Sequence, residues 1–365
     1  MKLSHNLPNQ MPEGVDPRLF QLSSYDYHLP QELIAQEPLS KRDESRMLVL
    51  KNHQAPVHQK ITDILDYLQP EDCLVINKTR VIPARIFGHL PGQSSQIECL
   101  LVRRLSEKSW RCLAKPGRKL KLGSKIIFRE NYLEAEVIDI EDDGSRILEF
   151  SYEGIWEACL AELGQLPLPP YIEQKLKDPE RYQTVYAEKD GSVAAPTAGL
   201  HFTEDLLKKI RDKGVAIAGL YLNVGIGTFR PIKDENILEH DMHSEVYELS
   251  EESADMINSR KQAGGRIICV GTTSCRTLES VADPESGLVK AETGETRLFI
   301  YPGYKFKVMD ALLTNFHLPK SSLLLLVSAF YGREAILSAY AEAIKERYRF
   351  YSLGDCMLIL GDEHV

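Results

Sequence analysis

No apolar run in this sequence is long enough to cross a bilayer. The longest, residues 323–330, falls well short of the roughly 20 residues that a spanning helix needs. The N-terminal residues lack the basic, then apolar, then small succession of a secretory signal. Seven cysteines (Cys73, Cys99, Cys112, Cys159, Cys269, Cys275 and Cys356) contain no C-x-x-C pair and sit mostly in apolar runs. Their odd number and spacing argue against a disulfide framework and predict reduced thiols that fill a core. Low-complexity tracts and internal repeats are absent, as are a Walker A loop and a G-x-S-x-G elbow, so P-loop and serine-hydrolase chemistry are disfavoured. Together these absences predict a cytoplasmic protein with no membrane association.

With 365 residues, 43% hydrophobic and 27% charged, the chain can bury a large domain and a smaller one. A net charge of −9 argues mildly against nucleic acid, but the distribution of charge says otherwise. From Arg103 to Arg129 the bases are Arg103, Arg104, Lys108, Arg111, Lys115, Arg118, Lys119, Lys121, Lys125 and Arg129, and the only acid is Glu107. An acidic protein with one concentrated basic module has a polyanion-binding layout, although lysines and arginines that protect strand edges would give the same pattern.

Along the chain, residues 1–24 are polar and proline-containing and read as a loosely held arm. A short helix over 31–36, a charged turn over 41–46, a strand over 47–50, helical spacing at Ile61, Ile64, Leu65 and Leu68, and a buried strand over 73–76 follow. The texture then changes. Residues 84–150 carry β-rich runs at 85–88, 97–102, 110–114, 124–128, 133–140 and 146–150, separated by glycine turns, and predict a small antiparallel barrel inserted in the larger domain. Helical pattern returns at 155–163. Beyond residue 194, βα alternation is clear: helix 203–213, strand 215–222, helix 251–263, strand 266–270, helix 275–281, strand 296–300, a core strand or helix at 323–330, helix 333–347 and strand 356–360. The expected architecture is α/β, with a large mixed α/β domain (1–83 and 151–365) and the inserted barrel (84–150).

Several constellations carry chemistry. Residues 194–203 form a tight proline/glycine loop ending in His201, with Thr203 as the N-cap of a helix and Thr197 within the loop. Gly271-Thr272-Thr273-Ser274 between a strand and a helix offers amides and hydroxyls to a phosphate, a carboxylate or a ribose. Gly225 and Gly227 form a G-x-G without a third glycine, a weak dinucleotide signal. His240 and His243 beside Asp241 and Glu245 have a metal-like look but incomplete spacing, and no metal is expected. His317, after Thr314-Asn315-Phe316, fits a catalytic imidazole or the end of a capped strand. The residues alone describe an enzyme for a polar small molecule with a polyanionic partner. They leave open a different activity on a free nucleoside or sugar phosphate, and an RNA-binding protein without catalysis.

The ordered motifs go further. Residues 77–85 (Asn-Lys-Thr-Arg-Val-Ile-Pro-Ala-Arg), 194–203, 224–231 and 243–245 resemble one family throughout. So do 270–274 with Arg276, Tyr301-Pro302-Gly303-Tyr304, and Thr314-Asn315-Phe316-His317-Leu318-Pro319. That family is the S-adenosylmethionine:tRNA ribosyltransferase-isomerases of queuosine synthesis, and the resemblance runs from about residue 25 to about 360. It implies transfer and isomerisation of the ribosyl group of S-adenosylmethionine onto 7-aminomethyl-7-deazaguanine at the wobble position of tRNA. Epoxyqueuosine-tRNA, adenine and methionine would be the products. No cofactor is implied, since S-adenosylmethionine is consumed as a substrate. A monomer is expected. Where the pattern would place His before Val224, this chain has Asn223.

The chemistry suggests roles at those positions. His201 or His317 serves as base or acid. Thr272, Thr273 and Ser274 hold ribose or the methionine carboxylate, with Arg276 or Arg80 as charge clamp, and Glu245 or Asp241 meets the methionine ammonium. Thr197, Thr203, Asn223, Gly225, Gly227, Tyr301 and Gly303 complete the expected substrate wall. Arg103, Arg104, Lys115, Arg118, Lys119 and Lys121 are expected to contact tRNA phosphates.

Overall fold

In a computed structural model, residues 14–174, 176–225, 227 and 232–361 are described. Ile226 and Thr228 to Pro231 of the glycine motif, and residues 1–13 of the expected arm, lie outside that set. In chain order, β1 (Arg46–Leu50), β2 (Val57–Lys60), β3 (Cys73–Asn77) and a short β4 (Thr79–Val81) lead into six strands. These are β5 (Arg85–His89), β6 (Gln96–Arg104), β7 (Ser109–Lys115), β8 (Lys125–Arg129), β9 (Leu133–Ile140) and β10 (Arg146–Tyr152), followed by α1 (Trp156–Leu163). After β11 (Lys189–Ser192) come α2 (Glu204–Asp212), β12 (Ala216–Leu222), β13 (Glu245–Leu249), α3 (Glu251–Gln262) and β14 (Ile267–Val270). The chain closes with α4 (Gly271–Val281), β15 (Glu292–Thr296), β16 (Ala311–Asn315), α5 (Ser322–Tyr331), α6 (Arg333–Lys345) and β17 (Cys356–Leu360).

The chain divides into two units: Met1–Thr79 with Pro169–Lys189 and Ala195–Val365, and Arg80–Leu168 with Asp190–Ala194. The large unit is built on a nine-stranded sheet in the order β15-β13-β12-β3-β14-β16-β17-β1-β2. At its centre β12, β3, β14 and β16 run parallel, while β17 is antiparallel to β16. Strands β3, β14, β16 and β17 are buried along their whole length, which is why they read as apolar runs rather than alternating ones. Leu206, Leu207 and Ile210 of α2 pack with Met47, Ile64, Leu74 and Leu358 in one core, and Thr203 Oγ1 accepts from the Leu206 amide at 3.1 Å to cap that helix.

The second unit is a closed six-stranded barrel in the order β10-β7-β6-β5-β8-β9. Its helix α1 belongs with it and not with the large domain: Trp156 stacks on Trp110 at 5.6 Å and meets Phe150 edge-on at 4.8 Å. The boundaries expected at 83/84 and 150/151 therefore fall at 79/80 and 168/169.

Two further expectations change. Residues 17–25 are not loose: two short 3-10 turns bury Phe20, Leu22 and Tyr25. Residues 297–300 carry no strand, since β15 ends at Thr296. Of the two alternatives left for 323–330, strand or core helix, the structure has the helix, inside α5. All seven cysteines are buried and unpaired. Among the described residues, no single helix is long and apolar enough to cross a membrane.

Candidate active site

The parallel centre of the sheet brings four carboxyl ends to one edge, where open α/β sheets leave a crevice. A cleft of about 550 Å³ lies there. Val224 follows β12 into its wall, Gly271, Thr272 and Thr273 follow β14, and Thr314 and Asn315 end β16 with Phe316 through Leu318 after them. Because β17 runs the other way, the residues before it, Tyr351 and Ser352, reach the same edge. Ala195 through Ala198 close the cleft from the loop ahead of α2, together with Tyr171.

The Gly-Thr-Thr-Ser segment was expected as a loop with its helix starting at Cys275, but α4 begins at Gly271 itself. Gly271 has φ 83°, a left-handed turn that lets the chain pass directly from strand into helix. Thr272 and Thr273 therefore sit in the first helical turn, facing the cleft. The Thr273 hydroxyl is buried with no hydrogen-bond partner, and a polar ligand group in the cleft would satisfy it. Ser274 turns away, its hydroxyl donating to the Val270 carbonyl at 2.9 Å.

His317 lines the cleft. Its Nε2 is 3.0 Å from Thr314 Oγ1, its amide donates to Tyr340 Oη at 2.8 Å, and its carbonyl accepts from Tyr27. Among the described residues its Nδ1 has no hydrogen-bond partner. Burial lowers its pKa to about 3, so the imidazole is neutral at physiological pH.

His201 is placed differently. It lines a second cleft, and both of its ring nitrogens are occupied. Asn315 Nδ2 donates to Nε2 at 3.2 Å, which puts the ring proton on Nδ1, 2.8 Å from Ser45 Oγ. Burial, then the positive charges of Arg42 and Arg349, hold its pKa at about 4. Asn315, which does line the main cleft, uses its other face to accept from Thr197 Oγ1 at 3.1 Å. His201 thus reaches the main cleft only through Asn315, a residue whose part the sequence reading missed. One signal was present: Thr314 and Asn315 are the polar end of an otherwise apolar, wholly buried strand. Tyr351 and Ser352 had no motif, although Tyr351 stands out in the structure with φ 70°.

The other expected site residues are not among those lining this cleft. Arg276 and Glu245 form a buried ion pair, with the Gly225 amide also donating to Glu245 at 3.1 Å. Burial alone would raise the Glu245 pKa, but Arg276, His243 and that amide outweigh it and hold it at about 2. The two charges meet each other, and Arg276 keeps a buried Nη2 without a partner. Asp241 is on the surface, 89% exposed, 3.6 Å from Arg297. Thr203 is the α2 cap. A Cβ on Gly227 would lie 2.6 Å from the His243 ring, so that glycine admits the imidazole. Tyr301 packs between Phe20 and Phe299, and Gly303 makes a turn with φ 100°. Asn223 sits half-buried just past β12, its amide bonded to the Val246 carbonyl at 2.9 Å. Arg80 belongs to the barrel unit. Of the motif at 77–80, Asn77 is a strand tie: its side chain exchanges bonds with the Leu222 carbonyl and amide at 3.0 and 3.1 Å.

On the barrel, Lys115, Arg118, Lys119 and Lys121 are exposed, as are Arg103 and Arg104. Part of the basic cluster is compensated by acids distant in sequence. Arg111 pairs with Glu141 and Asp143, Arg129 with Glu162, and Arg104 lies 3.4 Å from Glu157.

A crevice at the carboxyl edge of an α/β sheet, with largely apolar walls, a neutral imidazole and an unpartnered hydroxyl, is the site of an enzyme acting on a small molecule that has both apolar and polar parts. A sequence model for the family described as "Queuosine biosynthesis protein" matches residues 22–359, and the chain belongs to that family, as a transferase-isomerase. It is 56% identical over 340 residues to proteins named S-adenosylmethionine:tRNA ribosyltransferase-isomerase from two strains of Clostridium kluyveri, covering 93% of this chain and 99% of theirs. The crystal structure of S-adenosylmethionine tRNA ribosyltransferase from Thermotoga maritima is similar with a TM-score of 0.52 and 38% identity, over 92% of this chain and 100% of that one.

Proposed function

We propose that the chain transfers and isomerises the ribosyl group of S-adenosylmethionine onto 7-aminomethyl-7-deazaguanine at the tRNA wobble position. Epoxyqueuosine-tRNA is the product, adenine and methionine are released, and no cofactor takes part. The enzyme acts as a cytoplasmic monomer. The names of the relatives support the donor and the tRNA acceptor. The observation that carries the site is His317, a neutral imidazole with one unoccupied nitrogen in the crevice beside Thr272 and the unpartnered Thr273 hydroxyl.

The sulfonium of the donor acidifies the adjacent 5′ carbon, and a base that takes that proton leaves an ylide. Its electron pair breaks the C4′–O bond to give a vinyl sulfonium, and the freed ring oxygen becomes the C1′ aldehyde as adenine leaves and takes up a proton. The aminomethyl nitrogen adds at C4′ with loss of a proton, and the 5′ carbanion so regenerated attacks C1′ to close a five-carbon ring. The resulting C1′ alkoxide displaces methionine from C5′ to close the epoxide. His317 Nδ1 serves as the base in the tautomer whose Nε2–H donates to Thr314 Oγ1. Thr272 and Thr273 hold the ribose or the methionine carboxylate, and Asn315 lines the same crevice. The barrel's exposed lysines and arginines, Lys115, Arg118, Lys119 and Lys121 foremost, meet tRNA phosphates.

Incubation with S-adenosylmethionine and tRNA carrying the deazaguanine precursor tests this reading. Release of adenine with a ribosyl-sized mass gain on the tRNA is the expected result. Turnover on the free base, or binding without turnover, refutes it.

A further inference from the structure

The second cleft of the large unit, about 290 Å³, is walled by Lys41, Arg42, Arg181, Ser45, Ser352 and His201, with apolar residues and Gly354 completing it. Three cations line it, and among the described residues no carboxylate does; the Ser45 hydroxyl donates to the Arg42 carbonyl at 3.1 Å and that of Ser352 bonds Tyr171 Oη at 2.6 Å. The two arginines spend their described hydrogen bonds on backbone carbonyls rather than on acids. Arg42 donates to the carbonyls of Leu200 and Glu180 at 3.1 and 3.0 Å, and Arg181 to those of Ser40 and Leu39 at 2.9 and 2.7 Å. A guanidinium has five N–H groups, so bracing the backbone leaves three on each arginine. One of these, on Arg181 Nε, is buried with no partner. Lys41 is 74% exposed and Glu44, the acid it faces, is 3.8 Å away. The depressed basicity of His201, owed after burial to Arg42 and Arg349, reports the same positive field.

This cleft adjoins the main crevice. Ser352 lines both, and His201 in its wall bonds Asn315 in the other. Converging guanidiniums with unused N–H groups, beside a lysine, match the tetrahedral oxygens of a phosphate. We propose that the cleft around Arg42, Arg181 and Lys41 is a phosphate subsite that holds a backbone phosphate of the RNA next to the nucleotide whose base enters the crevice. The identity of the phosphate rests on the tRNA reading above; the phosphate chemistry of the cleft does not. Fixing that phosphate would align the extruded base with the donor.

The test compares wild type with Arg181→Gln, Arg181→Lys and Lys41→Gln. Lys41 is exposed, so its variant remains informative even if Arg181→Gln fails to fold. tRNA affinity is followed against salt, and melting temperature against added inorganic phosphate. Each cation removed should flatten the log–log salt slope by about 0.7. In Arg181→Gln the tRNA KM should rise about tenfold or more, with KM for S-adenosylmethionine unchanged, and Arg181→Lys should restore the slope. Wild-type slope and tRNA KM in the glutamine variants overturn the proposal. If phosphate stabilises wild type but not the glutamine variants while their tRNA slope is unchanged, the site takes free phosphate and the backbone assignment falls. If wild type binds no tRNA at all, the functional reading fails. Loss of phosphate stabilisation in Lys41→Gln would even then support a phosphate subsite.

Discussion

An imidazole acts as a base only through a nitrogen that no protein group already occupies, and the two buried histidines differ on this point. His317 has such a nitrogen in the crevice, whereas His201 spends one on Asn315 and the other on Ser45. His317→Gln should therefore lower turnover about 100-fold or more with little loss of melting temperature. His201→Ala should keep most of the turnover. Its cost should appear as about 2 kcal/mol of stability, because the Asn315 amide and Ser45 hydroxyl lose a buried partner. Both imidazoles also couple folding to pH. Their folded pKa values, about 4 and about 3, lie below the unfolded value of 6.5, so the unfolded chain binds more protons in acid. The neutral forms contribute their full stability above pH 6.5, and it drains as pH falls toward the folded values. Between about pH 6.5 and 5 each histidine should cost about 2 kcal/mol. Urea midpoints measured across that range should fall in wild type and fall less steeply in His317→Gln.

Helix starts decide which hydroxyls can bind substrate. Thr203 and Thr272 look alike in sequence, each a threonine where a helix begins. Thr203 Oγ1 is consumed by the Leu206 amide, whereas Thr272 and Thr273 open onto the crevice because α4 begins at a left-handed glycine. Thr203→Ala should cost about 1 kcal/mol in chemical denaturation and leave kcat/KM unchanged. Gly271→Ala should also cost about 1 kcal/mol, from its positive φ, since the added Cβ would stand 3.5 Å from Thr273 Oγ1 without a clash. Unlike the cap variant, it should raise KM for S-adenosylmethionine by moving the first turn of α4. Strand and helix identities were mostly legible because their hydrophobic periods are local: all six barrel strands and β17 follow from alternation or an apolar run. The start of α4 was not, since the difference between a glycine loop and a glycine that opens a helix lies in one φ angle. The ion pair of Arg276 with Glu245 was equally hidden, joining residues that only the sheet order brings together.

At the scale of the whole molecule the question is how a chain of net charge −9 engages a polyanion. Counting charge along residues 103–129 exaggerates the basic face, because the compensating acids, Glu141, Asp143, Glu157 and Glu162, come from later in the barrel unit. Paired arginines exchange one partner for another on binding RNA and release few counterions. Exposed, uncompensated side chains release more. By that argument Lys115, Arg118 and Lys121 dominate the barrel's contribution, with Lys119, which donates to Ser95 at 3.0 Å, close behind. Neutralising these four to glutamine should flatten the salt dependence of tRNA binding by about 0.7 for each phosphate no longer neutralised, and raise tRNA KM. Changing Arg111 and Arg129 to glutamine should alter the slope far less, and should instead destabilise the barrel by freeing their acids. Equal slopes for the two sets of variants would show that proximity in sequence, and not pairing in space, sets the charge that RNA meets.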